Sequence, residues 1–291
     1  MDELAIILVR GLSTGAIFAL IAMSFNVVYS SSGVLNFAQG NMLVLGGLAA
    51  HLLLDSSSVS SWFVMLPVAA VAIGLIMTVQ GYVTLLPMRF QQHSESWLIS
   101  TMAVSVIIGA TMLLIQGPVA RDVPSVFPGF RVFGTRTPAP YALAAGLALV
   151  WFVALRWFLR RTLTGLAISA LSQDIDAART AGLPVRRLQL LAFTISGLII
   201  GSAGFVAAPV LTITGESGVK YVLNGFIASV VGGMGSNTGA LLGGALLGVL
   251  TMMTTYHVGG EFQNLVALLL LVGVLMIRPE GIFGRSSARR V

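Results

Sequence analysis

Apolar residues in this chain neither alternate nor keep to one face of a helix; they run on in blocks, each broken by a few polar, Gly or Pro residues. A block of about 20 apolar residues is the length of helix that crosses the hydrocarbon core of a bilayer. Such blocks stand at 4–29, 34–54, 62–86, 97–116, 140–158, 188–213, 221–234, 238–256 and 262–277. The pattern predicts an all-α, polytopic transmembrane helix bundle of about eight to ten spans, folded as one domain over 1–291. The block at 221–234 is short for a full crossing and reads as a re-entrant or broken helix, as does the Gly- and Asn-containing start of the block at 34–54.

Composition and charge then narrow the picture. Of 291 residues, 56% are hydrophobic and 9% charged, too few charges to build a water-soluble surface. The net charge of +6 does not point to nucleic acid, because the Arg residues sit at the ends of apolar blocks. By the positive-inside rule, Arg89, the stretch 159–188 and the tail 278–291 face the cytoplasm, which puts the N-terminus outside and the C-terminus inside a bacterial-type cytoplasmic (inner) membrane. The chain opens Met1-Asp2-Glu3, acidic where a signal peptide would be basic, so the first block reads as a retained span. The external loop 117–139 is rich in Pro and Arg and reads either as a docking surface or as a linker. There is no Cys, and His51, His93 and His257 are too scattered for a metal site.

Inside the blocks the polar residues are mostly neutral. Arg10 lies close enough to a span end to snorkel, and His51 reads as interfacial rather than as a proton relay. The acidic residues fall at block edges or in loops. That weakens an ion-coupled transporter, which commonly buries a carboxylate, though a sodium site could be built from backbone carbonyls. A membrane-embedded enzyme would need an acid, base, nucleophile or metal set near a span centre, and none is visible. Ser24, Asn26 and Asn41 also fall inside apolar blocks. Asn26 reads as a tie between helices; Asn36, Gln39 and Asn224 read equally as ties or as groups lining a path for a polar solute. Gly235, Gly239 and Gly243, Gly244 and Gly248, and Gly197 and Gly201 recur every fourth residue, a spacing that lets helices pack closely.

The long polar segment, 159–188, predicts a short amphipathic helix capped by Thr164, with Leu166, Ala170, Leu171, Ala177 and Ala178 at helical spacing, ended by Gly182-Leu183-Pro184. Such a helix is either a plain connection or a coupling helix that seats in a groove of a partner. The run from Asp176, Ala177 and Ala178 to Gly182 resembles the core of the cytoplasmic loop through which ATP-binding-cassette importer permeases meet their ATPases.

Four further stretches extend the resemblance along the chain. Gly15-Ala16-Ile17-Phe18-Ala19-Leu20 leads to Gly33-Val34-Leu35-Asn36-Phe37-Ala38-Gln39-Gly40-Asn41; Thr164-Gly165-Leu166-Ala167 leads to Gln173-Asp174 and Gly182; then come Gly232-Gly233-Met234-Gly235-Ser236 with Gly239-Ala240, and Arg278-Pro279-Glu280-Gly281-Ile282-Phe283-Gly284. In order and spacing these resemble the branched-chain amino acid ABC transporter permeases, and the shorter of the two that such systems use. Ser169 stands where the family usually has Arg, and Ser24 where Gly is frequent.

The resemblance implies a permease subunit paired with a second, related permease. Two cytoplasmic ABC ATPases and an external solute-binding protein would complete the importer, which works by alternating access. Amide, urea and other amino acid systems share the motifs. Thr164, Gly165, Asp174, Asp176, Ala177, Ala178 and Gly182 would couple to the ATPase. The chain itself has no P-loop, since its one lysine, Lys220, is followed by Tyr221. No cofactor is therefore expected on this chain, and ATP and Mg²⁺ would be used by the partner ATPases. Val34-Leu35-Asn36-Phe37 and Val222-Leu223-Asn224-Gly225 each follow a long span. That suggests a pseudo-repeat offset by five spans, hence inverted in topology.

Overall fold

The computed structural model describes residues 2–54, 59–85, 96–132 and 135–284; Arg89, Arg285, Arg289 and Arg290, used above to orient the chain, lie outside them. Lipid offers backbone groups no hydrogen-bond partner, so apolar blocks of this length fold as helices. The helices are α1 (Asp2–Ser32), α2 (Gln39–Leu53), α3 (Val59–Leu85), α4 (Ser96–Gln116), α5 (Ala139–Arg161), α6 (Leu163–Leu171), α7 (Ile175–Thr180), α8 (Val185–Ala207), α9 (Ser217–Gly232), α10 (Asn237–His257) and α11 (Gln263–Ile277). Among the described residues, seven stretches are long and apolar enough to cross a membrane. With 15 and 16 residues, α2 and α9 measure only about 23 and 24 Å, short of the ~30 Å core. The chain is interrupted before each of them, at 33–38 and at 208–216. The second span thus starts later than its apolar block, and the seventh runs from 217 to 232 rather than 221 to 234.

Packing reveals an internal repeat. Helix α1 lies along α10 as α8 lies along α3; α2 rests on α8 as α9 rests on α1; α4 flanks α2 and α3 as α11 flanks α9 and α10. Exchanging α1–α4 with α8–α11 preserves these neighbours, and the offset of five spans makes the two units inverted. The two short motifs that suggested the repeat are not equivalent, however: Asn36 falls in the interruption before α2, whereas Asn224 falls inside α9.

Small residues let the units meet. Where α1 crosses α10, a Cβ on Gly15, Gly244 or Gly248 would collide with backbone of the opposite helix, and where α2 crosses α9 a Cβ on Gly40 would strike the Gly218 carbonyl. Gly239 and Gly243 press in the same way on Gly232 and Ala228 of α9. Gly235 does not belong to this packing stripe. It sits in the turn between α9 and α10 with φ +80°, and a Cβ there would meet nothing. It is needed for its left-handed backbone, a conformation that costs other residues.

That turn is knotted to α1. Asn26, 1% exposed, donates to the Ser236 carbonyl at 2.9 Å and accepts from the Ser229 hydroxyl at 2.7 Å and the Gly235 N–H at 3.1 Å. Ser236 in turn caps α10 by accepting from the Gly239 N–H. The tail closes the end of α9: the N–H groups of Ile282 and Phe283 donate to the Val231 and Gly232 carbonyls at 2.9 and 3.1 Å. These would otherwise be two of the orphan carbonyls of a helix end.

On the opposite side the loop 117–139 is folded against the bundle. It contains a two-stranded hairpin, β1 (Phe130–Val132) and β2 (Thr135–Thr137). Arg121 pairs with Ile213 of the second interruption, and Phe127 packs edge-on against Trp62 at 5.1 Å, with Phe205 behind.

Two outcomes test this architecture. Gly248→Leu overpacks the α1/α10 crossing and should cost about 1–3 kcal/mol, read as earlier thermal unfolding in detergent, while Gly146→Leu, whose Cβ meets nothing, should leave unfolding unchanged. Asn26→Leu strands two donors and an acceptor and should cost about 1–3 kcal/mol for each group left unpaired; unfolding at the wild-type temperature would show that the knot holds nothing.

Candidate functional site

The polar segment 159–188 is built from the end of α5. Thr162 has extended backbone, and its hydroxyl accepts from the Gly165 N–H at 3.0 Å while donating to the Phe158 carbonyl at 2.8 Å. Thr162, not Thr164, therefore caps α6; Thr164 lies exposed inside its first turn. Gly165 is buried where a Cβ would strike the Phe158 carbonyl, so the chain can fold back tightly on α5. The single helix expected over this segment is two helices. The Asp174 side chain accepts from the N–H groups of Asp176 and Ala177, both at 2.9 Å, and starts α7 anew. A short carboxylate offers the backbone this alternative to continuing a helix.

The restart changes which residues face inward. Ile168, Leu171, Ala178, Val185 and Leu188 make a small core of their own, while Leu166 and Ala177, expected on the buried face, are exposed. Gly182 ends α7 with φ +82°. The Leu183 N–H reaches back to the Ala178 carbonyl at 3.1 Å and the Gly182 N–H to that of Arg179 at 3.0 Å, the pairing of a Schellman cap. Asp176 and Arg179 form an exposed pair at 3.5 Å, worth little by itself. Arg186 at the start of α8 lies over the Tyr82 ring of α3, 4.7 Å from its centroid. Left over on the surface are Leu163, 88% exposed, and Leu166, 50% exposed, two apolar side chains that the sequence reading did not single out as a surface.

The three amides read as ties or path groups are not brought together. Asn36 and Gln80 of α3 exchange hydrogen bonds at 2.9 and 2.6 Å, and Asn36 also accepts from the Ala38 N–H at 3.1 Å. Gln39 donates to the hydroxyls of Ser24 and Ser196 at 2.8 and 2.7 Å, where α1 meets α8. Both are completely buried. In this conformation they hold the first interruption in place, with Gln80 and Ser196 as partners that sequence spacing could not have supplied. Asn41 reaches across to Ser105 of α4. Asn224 stands apart: it is 8% exposed and lies on α9, one turn after the exposed Lys220.

Sequence similarity to known proteins extends over nearly the whole chain. The high-affinity branched-chain amino acid transport system permease protein LivH of Salmonella typhimurium is 29% identical over 97% of this chain and 96% of its own. The permease protein BraD of Pseudomonas aeruginosa, of the same description, is 30% identical over 98% and 97%. The probable LivH of Methanocaldococcus jannaschii is 28% identical over 92% and 89%. No solved structure matches. The family model described as branched-chain amino acid transport system / permease component spans residues 7–275, which takes in most of α1, all of α2 to α10 and most of α11. The chain, a multi-pass membrane protein of apolar helices interrupted before α2 and α9, belongs to that family.

Proposed function

We propose that this chain is the membrane-spanning permease subunit of an ATP-binding-cassette importer that carries branched-chain, hydrophobic amino acids across the cytoplasmic membrane. The observation that carries the reading is the near full-length kinship with LivH and BraD. The segment α6–α7 supports it, because a rigid element with its own small core presents Leu163 and Leu166 outward. Apolar side chains on a short exposed helix suit the groove of a partner. ATP and Mg²⁺ are used by two partner ATPases. A related permease completes the channel, and an external binding protein delivers the solute to the side that carries the loop 117–139. The N-terminus lies outside and the C-terminus in the cytoplasm.

In this mechanism ATP binding draws the two ATPases together, and α6–α7 passes the motion to the bundle. Helix α6 packs on α1, α5 and α8, so a push on it reaches helices of both repeat units. Coupling requires that ATPase and solute favour different states of the permease, since equal affinity for both would shift nothing. Thr164, Asp176 and Ala177 lie on the exposed side of the segment, where they can touch a partner. Gly165, Asp174, Ala178 and Gly182 shape it.

A gentle detergent pull-down of the tagged chain from its native host should recover two P-loop ATPases and a second permease. Recovery of this chain alone, with solute movement in ATP-free liposomes, would replace the importer reading by an ion-coupled one. Gly182→Trp should abolish ATP-driven uptake while leaving membrane insertion intact. Gly182→Ala separates the causes. It carries the strain of a side chain at positive φ, roughly 1 kcal/mol, without the bulk, and should retain most uptake if Trp acts by blocking the partner. Leu163→Asp should weaken ATPase recovery in the same pull-down; undiminished recovery would place the contact elsewhere.

A further inference from the structure

Helix α9 carries three polar side chains at i, i+4 and i+8 along one face: Glu216 at its N-cap, Lys220 in its first turns and Asn224 near its middle. Residues four apart on a helix are neighbours, with Cβ atoms roughly 6 Å apart, so these three form a stripe. Val219, 57% exposed, and Leu223, 45% exposed, border it. The opposite side of α9 is committed to packing: Gly218 meets Asn41, Gly225 meets Ile21 and Gly232 meets Gly239. The chain itself leaves the outer part of the stripe, Glu216 and Lys220 with Val219 and Leu223, exposed, and covers most of Asn224.

Two facts make it more than a solvated helix face. Asn224 is 8% exposed, and its amide makes no hydrogen bond among the described residues although it is not sealed from the surface; the other buried asparagines, Asn26, Asn36 and Asn41, are bonded. An amide can donate two and accept two hydrogen bonds, and neither lipid tails nor apolar neighbours supply any. Lys220 likewise has no ion pair among the described residues, although Glu216 stands at the i−4 position that would suit one. The stripe therefore holds an unpaired carboxylate, an unpaired ammonium and an unpaired amide, in that order, beside apolar side chains.

We infer that this stripe is a contact point for the α-carboxylate and α-ammonium of a zwitterionic amino acid passing along α9. Lys220 and the Asn224 amide donate to the carboxylate, Glu216 accepts from the ammonium, and Val219 and Leu223 border an apolar side chain. Charge-assisted bonds of this kind are the stronger ones, and their order along α9 matches the polarity of the solute rather than that of a lipid tail. The inference rests on the permease reading above and names the chemistry by which the permease itself meets its solute.

The test uses the complete importer, reconstituted with its ATPases, second permease and binding protein, with radiolabelled leucine as the probe. Wild type must first accumulate leucine on addition of ATP; if it does not, the permease reading fails before the stripe is examined. Given wild-type uptake, Lys220→Met and Asn224→Leu should each lower it about tenfold, the loss of one hydrogen bond to a charged group. Lys220→Arg should recover most of it, and the complexes should remain assembled on size exclusion. Because the chain has no cysteine, Lys220→Cys gives it a single reactive thiol. An aminoethyl thiosulfonate, which restores an ammonium, should rescue uptake, and a neutral hydroxyethyl reagent should not. Uptake within twofold of wild type in both Lys220→Met and Asn224→Leu would overturn the inference. So would rescue by either reagent alike, or loss of the second permease from the Lys220→Met complex, which would make the stripe a protein interface.

Discussion

A helix that breaks inside a membrane frees backbone groups that lipid cannot satisfy, and much of this fold is the answer to two such breaks. At 33–38 the Ser32 hydroxyl takes the Val34 N–H at 3.2 Å and the Asn36 side chain takes the Ala38 N–H at 3.1 Å. At 208–216 the Tyr221 phenol oxygen accepts from the Thr212 N–H at 2.8 Å, Thr214 and Ser217 bond each other, and Ile213 pairs with Arg121 of the loop 117–139. Most of these partners lie within the break or in the helix end beside it, and Arg121 adds a contact from far along the chain.

The same constraint sets the architecture around the breaks. Short helices can be held in the centre only if the long ones come close, and close approach in a bilayer depends on packing and small residues rather than on hydrophobic burial. The crossings of α1 with α10 and of α3 with α8 are equivalent under the internal repeat and both are rich in glycine: Gly15, Gly244 and Gly248 at one, Gly74, Gly197 and Gly201 at the other. Between them Ser24 and Ser196 face each other, hydroxyl to hydroxyl at 2.8 Å. The helix ends at the α9/α10 turn are fastened separately, by Asn26 and by the tail on the end of α9. Near them α6 rests in contact with α1, so the segment that would meet an ATPase lies close to the fixed end of the helix that carries the unpaired stripe.

Much of this was legible in the sequence, and the misses have physical causes. The helical, membrane-spanning class and the short seventh helix followed from block length, whereas seven stretches rather than nine are long and apolar enough to cross among the described residues, because α2 begins only at Gln39, after the interruption. The motif glycines were visible but not their roles: Gly235 shares the spacing of Gly239 and Gly243, yet α10 begins after Ser236, so it serves the turn. In the segment 159–188, Thr162 and Thr164 are both competent caps. Only the end of α5 at Arg161 decides between them, and only the Asp174 side chain, turned back on its own backbone, splits one amphipathic pattern into two helices.

What the sequence determined by itself was therefore the class of solvent, the helical class of the fold, the sparing use of charge and the motifs that place the chain in its family. Each of these is a local property, fixed by the cost of exposing peptide or charge to hydrocarbon. Tertiary structure alone decided which amides are ties and which is left unpaired. Asn36, Gln39 and Asn224 are alike in the sequence, each a neutral amide in or beside an apolar block. Gln80 and Ser196 reach the first two from far along the chain, and among the described residues nothing bonds the third. A hydrogen bond is formed by proximity in space, and for residues so distant in sequence that proximity is set by the packing of the whole bundle.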